Sequence, residues 1–170
     1  METQDGTKLV TLKDVAQRIA FSKSEAAISR VARQVRHWTQ SDLLKPYGAK
    51  QTGTGIPRLY LGEPTLEIAA ILLELSRYGA TVEIMKSAAD ALYDDVENGG
   101  DTVFLATTDE GTAYLQVAWS EDPETGKFTD ATVHLFEKSP WHEPGDAQTA
   151  PSSAILINMN RVLDRLYGIS

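Results

Sequence analysis

Apolar positions recur at helical spacing along roughly the first hundred residues, and at every second position along much of the rest. Leu12, Val15, Ala16 and Ile19 open the series. Thr11 stands before them with Asp14 three residues on, a pattern in which each side chain can satisfy a free backbone donor at a helix start. The spacing predicts a short helix ending near Ala20. A second start is read at Ser22, with Glu25 three residues later. At about 100° per residue its helix has two faces. Ala27, Ile28, Val31, Val35 and Trp38 fall on one; Arg30, Arg33, Arg36 and His37 fall on the other.

From Lys45 to Arg58 the regularity breaks. Pro46, Gly48, Gly53, Gly55 and Pro57 mark a turn-rich loop, and Arg58 to Leu61 reads as a short strand after it. Gly62-Glu63-Pro64-Thr65 then opens a helix running to Tyr78, with Pro placed where a missing donor costs little. That helix is apolar nearly all round, leaving a narrow stripe of Glu67, Glu74 and Arg77. Gly79 is placed to cap it. Thr81 opens the next helix, whose apolar face is Ile84, Met85, Ala88, Leu92 and Val96, and Asn98-Gly99-Gly100 stops it. Beyond this the period is two. Strands are expected over Thr102–Ala106, Ala113–Trp119, Ala131–Glu137 and Ser153–Ile157, with a closing helix from Asn158 to Tyr167. The predicted fold is α+β: an N-terminal winged helix-turn-helix with two following helices, then a small antiparallel sheet and a C-terminal helix. Two domains are expected, 1–98 and 101–170.

Charge sharpens this division. The net charge of −8 is unevenly spread. Residues 1–60 hold ten Lys and Arg against five Asp and Glu, a balance of +5, and the remainder hold six against nineteen, a balance of −13. A basic contact surface joined to an acidic body is the pattern of a chain that meets a polyanion at one end. The 42% apolar fraction suits a folded protein. No apolar run approaches the roughly 18 residues of a membrane span, and the polar start, Met1 to Lys8, has no signal-peptide character. The expected compartment is the cytoplasm, with no membrane partner. With no cysteine the chain has neither disulfides nor thiolate chemistry.

Helix, short turn, basic-faced helix, glycine-rich loop and Arg-bearing strand form a mechanical sequence. A duplex major groove admits one helix, and the arginine fork fits both phosphate and the acceptor edge of guanine. Gln34-Val35-Arg36-His37-Trp38, then Asp42-Leu43-Leu44-Lys45-Pro46, then Ile56-Pro57-Arg58-Leu59-Tyr60 follow one another at set distances. In this order they resemble the MerR family of regulators. That family's pattern runs from a threonine-aliphatic-arginine-tyrosine-tyrosine segment through glycine-leucine-leucine and a proline to a wing ending in arginine-x-tyrosine. Tyr78-Gly79-Ala80-Thr81-Val82-Glu83-Ile84 is similar to the family's next interhelical turn. The resemblance covers about residues 9–92.

The resemblance implies that Arg36 and His37 touch DNA backbone or bases, that Trp38 packs inward, and that Arg58 grips phosphate from the wing while Tyr60 braces it. The expected DNA contacts are Lys23, Arg30, Arg33, Gln34, Arg36, His37, Lys45, Lys50, Arg58 and Tyr60. Two features depart from the family. Phe21 to Arg33 is longer than the corresponding stretch, and Gly99-Gly100 interrupts what would be a long dimerisation helix. Promoter untwisting, which depends on that helix, is not carried over. A homodimer is expected instead through Ile155, Ile157, Val162, Leu163 and Leu166, more apolar surface than about 70 residues easily bury alone.

The function read from the sequence is a sequence-specific double-stranded DNA-binding transcriptional regulator. An accessory factor for excision, recombination or plasmid partition is the alternative, as is a regulator whose C-terminal half senses a small-molecule or protein effector. No nucleophile with a base, no phosphate-cradling loop and no ligand spacing among His37, His134 and His142 points to an enzyme, a metal or another cofactor.

Overall fold

The computed structural model describes residues 8–48, 58–98, 113–136 and 153–168. Along them the order is β1 (Leu9–Thr11), α1 (Leu12–Ile19), α2 (Glu25–Gln40), β2 (Leu59–Leu61), α3 (Gly62–Arg77), α4 (Val82–Glu97), β3 (Tyr114–Glu121), β4 (Phe128–Phe136), β5 (Ser153–Asn158) and α5 (Met159–Tyr167). The fold is mixed α+β. The described strands form two antiparallel sheets, β1-β2 and β4-β3-β5. The expected strand Thr102–Ala106 lies outside the described residues.

Thr11 caps α1 as its sequence predicts. Its hydroxyl oxygen accepts from the Asp14 amide, and its own amide donates to Asp14 Oδ2 at 2.8 Å. The bond from the Thr11 amide, with one that the Thr11 hydroxyl donates to the same oxygen at 2.7 Å, holds the Asp14 carboxyl below its ordinary range. The start of α2 differs from expectation. Ser24, not Ser22, is the cap, accepting from the Ala27 amide. Ser22 instead accepts the Ser24 amide at 3.2 Å and tightens the turn before it.

The end of α2 is closed by a left-handed residue. Asp42 has φ +55°, and the Leu43 amide reaches back to the Trp38 carbonyl at 2.8 Å, the six-to-one bond of a Schellman ending. Glycine enters this region without steric cost, and aspartate is among the few other residues that visit it. Leu43 and Leu44 are thereby turned fully into the core.

Strand β1 has no counterpart in the sequence reading. It pairs with β2 in the register Leu9↔Leu61, Val10↔Tyr60 and Thr11↔Leu59. The two chains approach so closely at Gly62 that a Cβ there would lie 2.8 Å from the Lys8 carbonyl oxygen. Only glycine fits that contact without a backbone shift.

Helix α3 is the centre of the molecule. Its apolar surround is covered by α1, α4 and α5. The stripe of Glu67 and Glu74, seven residues and about two turns apart, also faces protein, because α5 lies along it. Leu115 and Val117 of β3 carry the sheet's inner face, with Leu135 and Val133 of β4 and Ile157 and Ile155 of β5 as their register partners. Helix α4 packs against this sheet.

A single apolar cluster runs from Val10 through α3 to Leu166, on both sides of the boundary expected near 98–101. Ile157, Val162, Leu163 and Leu166, expected to meet a second copy, are buried within their own chain, where α5 packs against α3 and α1, and Ile155 is half-buried.

Candidate nucleic-acid interface

Helix α2 is held by the opposite side from the one it displays. Val31, Val35, Trp38 and Thr39 are buried, and Trp38 points inward. Arg30, Arg33, Arg36 and His37 are all exposed. Among the described residues none of the three arginines joins an ion pair. From Arg30 to Arg36 the helix rises about 9 Å, so their forks span a short ridge on a rigid rod.

Arg58, also exposed, stands immediately before β2. A hydrogen bond fixes that strand against α2. The Thr39 hydroxyl donates to the Val35 carbonyl at 2.8 Å and lies 2.8 Å from the Tyr60 hydroxyl. A hydroxyl has one proton, and Thr39 has committed its own to Val35, so Tyr60 donates to Thr39. Burial raises the Tyr60 pKa, against the nearby positive charges of Arg58 and Arg36. Both arginines therefore belong to the neighbourhood of one phenol. Tyr60 itself is fully buried. It braces the strand and offers no surface to a ligand.

The other expected contacts divide. Lys23 is exposed, but its ammonium donates to the Gln17 carbonyl at 2.7 Å, closing the end of α1. Gln34 is half-buried and donates to Ser76 Oγ of α3 at 3.4 Å. Lys45 pairs with Glu97 of α4 at 3.3 Å and lies 4.5 Å from the Tyr93 ring centre. Lys50 lies outside the described residues, as does most of the loop that the sequence reads as a wing. The basic surface that remains is Arg30, Arg33, Arg36, His37 and Arg58.

Thr39 was not among the sequence candidates. Its signal is positional: it follows Val35 by four residues, on the apolar side of the helix, where a hydroxyl needs a partner.

A cleft of about 1170 Å³ lies between α1, the start of α2, the start of α3 and Tyr167. Lys8, Arg18 and Lys23 line it together with Asp14 and Glu63, a mixture of signs that favours no single ligand charge. Among the described residues no three His, Asp or Glu side chains gather as a metal site would require, and no helix is long and apolar enough to cross a membrane.

No protein-family model matches the chain, and no curated protein matches its sequence. The chemistry of the surface is therefore the ground on which a function is argued.

Proposed function

We propose that the chain binds double-stranded DNA in a sequence-specific manner, as a transcriptional regulator acting as a homodimer. Helix α2 enters the major groove and Arg58 lies on flanking phosphate. The observation that carries this reading is the ridge of Arg30, Arg33 and Arg36, exposed and without ion pairs among the described residues, on a helix whose other side is locked in the core.

Like charges on one rigid helix repel each other, and a bound polyanion relieves that repulsion. Arginine is the side chain whose planar fork matches both phosphate and guanine O6/N7. The acidic remainder of the chain repels the same polyanion, which orients the basic end toward it. One helix reads few base pairs, and a second copy doubles the contact. In this reading the copies meet through surface other than Ile157, Val162, Leu163 and Leu166, which are buried within one chain.

Selection from a pool of random duplexes tests the reading. The expected outcome is enrichment of an inverted repeat with half-site centres about 10 base pairs, or a multiple of that, apart. A selected pool no different from the starting one would refute sequence-specific binding.

A further inference from the structure

Phe21 sits in the turn between α1 and α2 and is about half exposed, at 49%. It is nevertheless held. The Arg77 guanidinium, from the last residue of α3, lies 4.3 Å from its ring centre, and the Arg165 guanidinium, from α5, lies 4.0 Å from it. Both distances are within the range of cation–π attraction. Neither cation is free to swing away. Glu74 binds Arg77 Nη1 through Oε2 and Arg165 Nη1 through Oε1, each at 2.8 Å.

Arg165 is placed at some cost in hydrogen bonding. Among the described residues its Nε and Nη2 atoms are buried without an acceptor. A guanidinium kept from water attracts a ring face more strongly than an exposed one. Helix α5 also touches α1 directly, since Arg18 Nη1 donates to the Leu166 carbonyl at 3.3 Å. No residue separates α5 from β5, the strand paired with β3. A continuous path therefore runs from the C-terminal sheet through α5 and Arg165 to the turn that launches the basic helix.

We propose that Arg165, through Phe21, is a positioning residue for α2, so that the C-terminal helix sets the pose in which Arg30, Arg33 and Arg36 meet a duplex. This deepens the DNA-binding reading and rests on it. A change at the C-terminal sheet is transmitted to the basic face through α5, which makes the clamp on Phe21 the point where duplex affinity is regulated. A general stabilising stack would strengthen the whole fold. A positioning clamp acts on the turn first, because local openings have free energies of their own.

The test uses the full chain and the variants Phe21→Leu, Arg165→Met and Phe21→Trp. Amide hydrogen exchange is read without DNA, and affinity is read on a selected duplex. Phe21→Leu and Arg165→Met are expected to speed exchange at Ser24, Ala27 and Ile28 by about tenfold, while Leu115 and Val117 in β3 stay within about twofold of wild type. Duplex affinity falls by about tenfold with the salt dependence unchanged, because no phosphate contact has been removed. Phe21→Trp, which keeps a ring face, behaves as wild type in both readouts. Unchanged exchange at the turn overturns the proposal. So does an increase shared equally by β3, or a loosened turn with undiminished affinity. If wild type binds no duplex, the reading of α2 fails and the affinity part of the proposal fails with it. The exchange data then still decide whether α5 holds the turn.

Discussion

The Tyr167 hydroxyl donates to Glu67 Oε1 at 2.9 Å, joining the last turn of α5 to the first half of α3. Glu67 is 1% exposed, and its second oxygen has no partner among the described residues. Burial pushes its pKa up to about 7, against the Tyr167 bond and with help from the charge of Glu63. The folded chain therefore holds a proton there that the unfolded chain releases near 4.5. Stability falls as pH rises through that interval and levels off above about 7. The loss is on the order of 3 kcal/mol. Glu67→Gln keeps an acceptor for Tyr167 and removes the titration. Urea unfolding at several pH values between 4.5 and 7.5 should show the gap between wild type and Glu67→Gln widening with pH in favour of the variant. Parallel curves would contradict the account.

Leu163 and Leu166 of α5 are buried at 3% exposure each within one chain. Leu163→Glu or Leu166→Glu places a charge in that core, so the expected result is loss of the cooperative melt rather than dissociation. Truncation alone, as Leu163→Ala, should cost about 2–5 kcal/mol. Circular dichroism and light scattering distinguish the outcomes. A folded Leu163→Glu protein of reduced mass would restore these residues to an interface between copies.

The pair Tyr60 and Thr39 makes an asymmetric prediction. Thr39→Val leaves the Tyr60 hydroxyl buried without an acceptor and should cost about 1–3 kcal/mol. Tyr60→Phe leaves Thr39 still bonded to Val35 and should cost about 1 kcal/mol. The double variant should cost less than the sum of the two, as measured by denaturant unfolding. Additive losses would mean that the hydroxyls do not tie β2 to α2.

What could be read from the sequence was what local spacing encodes. The capping box at Thr11 and Asp14, the two faces of α2 and the glycine ending of α3 each lie within one or two turns of chain. The start of α2 was read at Ser22, because spacing alone does not say that Ser22 serves the turn and Ser24 the cap. Strand β1 was illegible because its partner, Leu59–Leu61, is some fifty residues away and each strand has three residues. The partners of Glu67 and Glu74 were illegible because Tyr167 and Arg165, which complement that stripe, come about a hundred residues later. The same reason separates the candidate contacts. Periodicity exposes Arg30, Arg33 and Arg36, but only the tertiary fold draws Gln34 to Ser76 and Lys45 to Glu97.

The central claim is that the α2 ridge meets a polyanionic duplex, and salt dependence measures it most directly. Binding of a selected duplex is followed from about 50 to about 200 mM salt for wild type, Arg58→Ala and the triple variant Arg30→Ala, Arg33→Ala, Arg36→Ala. These side chains are exposed, so circular dichroism should be unchanged. The predicted result is a linear fall of log affinity with log salt, with a slope that shrinks by about one for each phosphate-contacting arginine removed. A flat response in wild type, or a triple variant that binds with wild-type affinity and slope, would contradict the account.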